Sequence, residues 1–279
     1  MRLGGSVMKP YHTPSEWLEL VQEYGYGAVI FPVDCTASPA VRKAYLECAQ
    51  DHDLLIGEVG VWRNCMARNE AEREQHIQYA IRQLELAEET GARCCVNISG
   101  SWSELWDGYH PEHDSARYYE MMVTTTQRII DAVKPQKTCF SLEPMPWMCP
   151  ESPQQYLQLI RDVDRSAFQV HLDYANMINS IDRYRHSSDF IKECFELLAP
   201  HIRSIHAKDV LLDDHKLPLC IEEVPPGYGS VDLPLVTRLA EELGPDIPVF
   251  VEHLSDHQAY LAAAQTMRKA ARQAGVVVK

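Results

Sequence analysis

Eight short apolar runs, each followed by a stretch of helical periodicity, restrict this chain to one broad kind of fold. The runs cover residues 2–7, 28–31, 54–59, 94–98, 138–143, 168–173, 202–206 and 247–252. They lack polar alternation, as strands covered on both faces do in parallel sheets. Between them the apolar spacing turns helical: Ile77, Ile81, Leu84 and Ala87 form one stripe, and Tyr260, Ala264, Met267 and Ala271 another. Thr13-Pro14-Ser15-Glu16 and Ser152-Pro153-Gln154-Gln155 join a capping residue, a proline at the first helical position and an acid or amide three after the cap. Ser38 and Ser255 read as two further caps, and Gly91 and Gly244 as helix stops. The alternation predicts the α/β class and a (β/α)8 TIM barrel, one domain over residues 1–279; such barrels commonly take about 250 residues. A doubly wound open sheet would want a glycine-rich turn after its first strand, whereas Gly4-Gly5 falls inside that strand.

Four of the runs, the fifth to the eighth, end on a potential metal ligand: Glu143, Asp173, His206 and Glu252. In a closed parallel barrel, side chains at these positions converge at the C-terminal mouth, where enzymes of this fold place their chemistry. Burying three carboxylates together without a cation is costly in repulsion and desolvation. The set therefore predicts one divalent ion held by all four residues. Oxygen-rich ligation with a single nitrogen favours Mn²⁺, with Mg²⁺, Co²⁺ or Zn²⁺ as alternatives.

Composition narrows the partners. A formal charge of −14, from 26 basic and 40 acidic residues, repels phosphate backbones, so no nucleic-acid partner is expected. No stretch approaches the roughly 18 apolar residues of a membrane span, and no secretory h-region opens the chain. The nine cysteines form no CxxC pair and read as reduced thiols. A cytoplasmic location is the expectation, and assembly into a homo-oligomer is left open.

The segments SLEPMP, HLDYAN, SIHAKD, PPGYGSVD and FVEHL resemble the sugar phosphate isomerase/epimerase family, the xylose isomerase-like TIM barrels. That family includes ketose 3-epimerases, hydroxypyruvate isomerase and enzymes acting on inososes. The resemblance implies that Glu143, Asp173, His206 and Glu252 are the metal ligands and that Glu143 and Glu252 are the acid/base pair. The motifs around Asp173 and His206 are most similar to the pentulose-phosphate 3-epimerase branch. Three positions depart from the tagatose and psicose type: Asn176, Cys149 and Leu212 stand where those enzymes carry histidine, glutamate and arginine.

The implied reaction is proton abstraction α to a carbonyl through a metal-stabilised enediolate, on a small keto-sugar, sugar phosphate or cyclitol. Two bases on opposite faces give epimerisation, and one shuttling base gives isomerisation. A lyase or dehydratase using the same site is the alternative, with a non-catalytic sugar-binding barrel behind it. A multi-zinc phosphoesterase would need histidines after strands two to four, which end FPVD, GEVG and NISG. Further substrate contacts are expected at Glu58, Trp62, Trp147, His171, Asn176 and Lys208. Lys208 could instead pair with Asp209. Trp102 and Trp106 also follow strand ends. Gly227-Tyr228-Gly229 is a weak phosphate candidate, and Glu222 and Glu223 read as loop charges, one of which could lean inward.

Overall fold

The doubly covered runs pair in parallel, and the pairing runs round a closed ring. The computed structural model describes residues 1–279. Its strands are β1 (Arg2–Gly5), β2 (Ala28–Ile30), β3 (Leu55–Gly60), β4 (Cys94–Asn97), β5 (Phe140–Leu142), β6 (Val170–Asp173), β7 (Ile202–His206), β8 (Asp209–Leu212), β9 (Ile221–Val224) and β10 (Pro248–Val251). Two parallel four-stranded arcs, β2-β3-β4-β5 and β1-β10-β7-β6, make up the wall. The amide of Gly27 donates to Leu3 O at 2.9 Å across one seam. At the other, Phe140 N donates to Ala167 O at 2.8 Å and Gln169 N to Phe140 O at 3.0 Å. The result is an eight-stranded parallel barrel of the TIM type.

Ten helices surround it: α1 (Pro14–Tyr24), α2 (Pro39–Asp51), α3 (Glu70–Thr90), α4 (Ala116–Val133), α5 (Pro153–Val163), α6 (Tyr174–Met177), α7 (Ile181–Arg185), α8 (Ser187–Leu198), α9 (Leu233–Glu242) and α10 (His257–Gln273). Thr13, Ser38 and Ser152 cap α1, α2 and α5 through their hydroxyls. The cap of α10 is Asp256, which accepts from Ala259 N, rather than the expected Ser255; Ser255 donates its hydroxyl to Asp256. A carboxylate at the cap also meets the positive end of the helix. Gly91 ends α3 in the left-handed region at φ 68°, whereas α9 stops at Glu242, two residues before Gly244.

Inside the barrel, a Cβ on Gly4 or Gly57 would strike the Phe250 ring. These bare positions on β1 and β3 admit one large aromatic side chain from β10. The main departure from the expected pattern follows β7, where β8 and β9 form an antiparallel hairpin, Asp209 paired with Val224 and Leu212 with Ile221. It stands over the C-terminal mouth.

Candidate active site

Parallel register brings the four predicted ligands together. Asp173 lies opposite His206 on neighbouring β6 and β7, while Glu143 and Glu252 each follow one residue after their strands. One ligand atom from each of the four lies within 4.8 Å of every other. His206 Nδ1 is 2.7 Å from Glu252 Oε1, 3.1 Å from Glu143 Oε1 and 3.9 Å from Asp173 Oδ2. Adjacent ligands of an octahedral ion with bonds of about 2.1 Å stand about 3 Å apart, close to this spacing. Asp173 Oδ1 accepts from Asn176 N at 2.9 Å, capping α6, which leaves Oδ2 turned to the cluster. Asp173 Oδ2 and Glu252 Oε1 are both buried within the cluster.

Beneath this group lies a second layer of polar side chains. Glu58 is fully buried and accepts from the Ser204 hydroxyl; its Oε1 is 3.2 Å from His171 Nδ1 and its Oε2 is 3.4 Å from His206 Nε2. The His171 and His206 rings meet edge to face, centroids 4.0 Å apart. Two expected substrate contacts are thereby corrected: Glu58 and His171 are fully buried under His206 and do not line the open mouth. Their position suits orienting the imidazole, since a carboxylate at Nε2 leaves Nδ1 to face the ligand cluster.

Lys208 turns away from Asp209 and into the carboxylates, its ammonium 2.7 Å from Asp173 Oδ2 and in contact with Glu252. Lys208 lies in the two-residue link between β7 and β8, and Asp209, which opens β8, takes the other side. Its carboxylate accepts from the amides of Val210, Gly227, Gly229 and Val231 at 2.9–3.0 Å. A Cβ on Gly229 would collide with that carboxylate and with Val210 O. The glycine-rich loop thus encloses an internal anion, and the phosphate expectation is set aside.

The electrostatics show a shortage of positive charge. Burial raises the Asp173 carboxyl to about 6, with repulsion from Glu143 and Glu252 adding to it and Lys208 opposing. Burial would lower His206 and Lys208, but the surrounding carboxylates outweigh it and hold both well above their usual values. Burial would likewise raise Glu252, yet His206 and Lys208 bring it well below the usual range. Two cations do not discharge this many carboxylates. Three buried carboxylates converging on one imidazole fit a divalent ion, which Glu143, Asp173, His206 and Glu252 are placed to hold.

Above the cluster opens a cavity of about 550 Å³, with Glu143 in its lining. Trp62, Trp106, Trp147 and Asn176 line it as well. Asn176 Nδ2 donates to Pro144 O at 3.0 Å and reaches Glu143 Oε1 at 3.5 Å. Trp102 lies elsewhere, buried edge-on against Tyr118 at 5.2 Å. Two lining residues escaped the sequence reading as a pair. His253 Nδ1 is 3.1 Å from the Glu223 carboxylate, while its Nε2 is 3.7 Å from Glu252. That hydrogen bond to Glu223 raises the imidazole above its usual value. His253 holds a left-handed φ of 53°, uncommon for a residue with a side chain. Its place directly after Glu252 was the only signal in the sequence.

A family model described as xylose isomerase-like TIM barrel matches residues 18–272. Among solved structures, a xylose isomerase-like TIM barrel protein from Mycobacterium smegmatis in complex with magnesium aligns at TM-score 0.68 and 18% identity, over 94% of this chain and 90% of that one. D-psicose 3-epimerase from Clostridium cellulolyticum H10, solved with D-tagatose, aligns at TM-score 0.71 and 13% identity, over 99% and 100%. The 3-keto-D-glucoside 4-epimerase of E. coli, in apo form, aligns at TM-score 0.67 and 15% identity, over 96% and 99%. No curated protein matches the chain by sequence. No helix is long and apolar enough to cross a membrane.

Proposed function

Because the chain belongs to the xylose isomerase-like TIM-barrel family, we propose that it is a metal-dependent isomerase or epimerase of a small keto-sugar or cyclitol. The observation that carries this reading is the approach of Glu143 and Glu252 to His206 Nδ1, at 3.1 and 2.7 Å, below a cavity open to solutes. The sugar epimerases of the same fold support it.

Glu143, Asp173, His206 and Glu252 would hold a divalent ion, which when bound supplies Lewis acidity toward a carbonyl oxygen. Glu143 faces the cavity and takes the proton from the carbon next to the carbonyl, leaving an enediolate. Asn176, bonded to Pro144 O, brings its Nδ2 within 3.5 Å of Glu143 Oε1. Glu252, 13% exposed at its side chain, returns a proton from its own direction, and a different face of entry inverts the carbon. Lys208, buried among the carboxylates, offers a fixed positive charge toward the developing oxyanion.

The test is solvent deuterium entering the α-carbon when the manganese-loaded protein is incubated with a panel of keto-sugars and inososes in D₂O. Glu143→Gln and Glu252→Gln should each slow this exchange by about 10²- to 10⁴-fold with unchanged circular dichroism. Wild-type exchange in either variant contradicts the acid/base roles. Label that enters together with loss of water identifies a dehydratase instead.

A further inference from the structure

The cavity is larger and more apolar than recognition of one small sugar calls for. Its 550 Å³ lies within the range of pockets that enclose drug-sized ligands. Ten of its seventeen lining residues are hydrophobic. Trp62, Trp106 and Trp147 come from the segments after β3, β4 and β5, and Val210, Leu219 and Ile221 from the hairpin opposite in sequence. Each of the three tryptophans is partly exposed, as is Leu219.

Two of the indoles are held in place. The Trp147 ring N–H donates to Asp107 O at 2.8 Å. Trp62 sits at a left-handed φ of 48°, with its indole lying over the bare Cα of Gly60, where a Cβ would collide with it. Strain of this kind persists where the surroundings enforce it and collects at ligand sites. Aromatic surface fixed in position but left open to solvent is surface kept for a ligand.

Charge limits what that ligand is. Asp107, Glu143, Glu223 and His253 are the titratable lining groups, and no lysine or arginine is among the seventeen. His253 is already paired with Glu223. Away from the metal cluster, a phosphate or carboxylate would be desolvated beside Asp107 and Glu223 with no lysine or arginine of the lining to meet it.

We propose that the substrate is an uncharged glycoside, with its sugar ring over Glu143 and an apolar, aromatic aglycone in the part of the cavity walled by tryptophans and the hairpin. This rests on the sugar-enzyme reading above and names the substrate class for it. An aglycone fixes the anomeric carbon as an acetal, so the carbonyl that acidifies the α-proton lies on another ring carbon. The reaction that supplies such a substrate is therefore an oxidation of a ring hydroxyl.

Calorimetric binding to the manganese-loaded protein tests this without turnover. The probes are matched methyl and phenyl β-glycosides of glucose, galactose, mannose and xylose, together with glucose and glucose 6-phosphate. At least one phenyl glycoside should bind tenfold or more tightly than its methyl partner, and the phosphate should bind no more tightly than glucose. Trp106→Ala and Leu219→Ala should each cut the phenyl advantage below threefold, with thermal unfolding confirming that the variants fold. A panel with no phenyl advantage, an advantage untouched by both variants, or tighter binding of the phosphate overturns the proposal. Deuterium exchange on an unsubstituted ketose without any phenyl preference fails this inference alone. A phenyl preference with no exchange on any keto-sugar fails the catalytic reading alone.

Discussion

Glu58, buried behind His206, would act through that imidazole and not on a substrate, and a single amide tests that. Glu58→Gln keeps the shape but removes the charge facing His206 Nε2. Loss of a carboxylate behind a metal-ligating histidine typically weakens metal binding about 10- to 100-fold. Calorimetric titration with Mn²⁺ should show a drop of that size, and unchanged affinity would reduce Glu58 to a packing role. The convergence of Glu143, Asp173, His206 and Glu252 was legible because consecutive strands of a parallel barrel end at one mouth. The direction of Glu58 was not legible. Glu58 lies at an irregular register between β2 and β3, where Val29 pairs with Ile56 but Ile30 with Glu58. Lys208 could be read as an ion-pairing residue, but its choice of Asp173 over the adjacent Asp209 needed the path of the link between β7 and β8. His253 stayed hidden because its contact with Glu223 spans a hairpin the sequence did not announce.

That hairpin, β8 and β9, is the element least visible in the chain. Its strands are only four residues each and carry mixed exposure, so neither a buried run nor a clean alternation marks them. The short helices α6 and α7 were missed for the same reason, having too few turns to show a period. The longer helices were legible from caps and stripes, although the shift from Ser255 to Asp256 shows that adjacent capping residues cannot be ranked from sequence. What holds the hairpin's base is Asp209, whose buried carboxylate gathers four amides. Asp209→Ala strands those donors, and hydrogen bonds to a charged group contribute about 1.5–3 kcal/mol each without adding fully. Urea unfolding should report a loss of about 3 kcal/mol or more. A loss under about 1 kcal/mol would mean that water replaces the carboxylate.

At the scale of the whole molecule, burial ties stability to alkaline pH. Burial raises the thiols of Cys65, Cys139 and Cys149 to about 12, and those of Cys94 and Cys95 well above their usual value. Each stays protonated in the native state while the unfolded chain ionises near pH 9. The contribution is therefore fully present below pH 9 and is lost as pH rises toward 12, on the order of 1 kcal/mol per thiol for each pH unit. Urea midpoints should fall steadily between pH 9 and 11, and a flat profile would show these thiols open to solvent. The same wall has a second property, set by how it is divided. Asp173, His206 and Glu252 belong to the arc that contains β1, whereas Glu143 stands alone at the end of the other. Whatever cation joins the four acts as a clasp across the joint between the half-cylinders at Phe140 and Gln169. Adding manganese should slow hydrogen exchange at those two amides more than at Gly27, on the joint that no ligand spans.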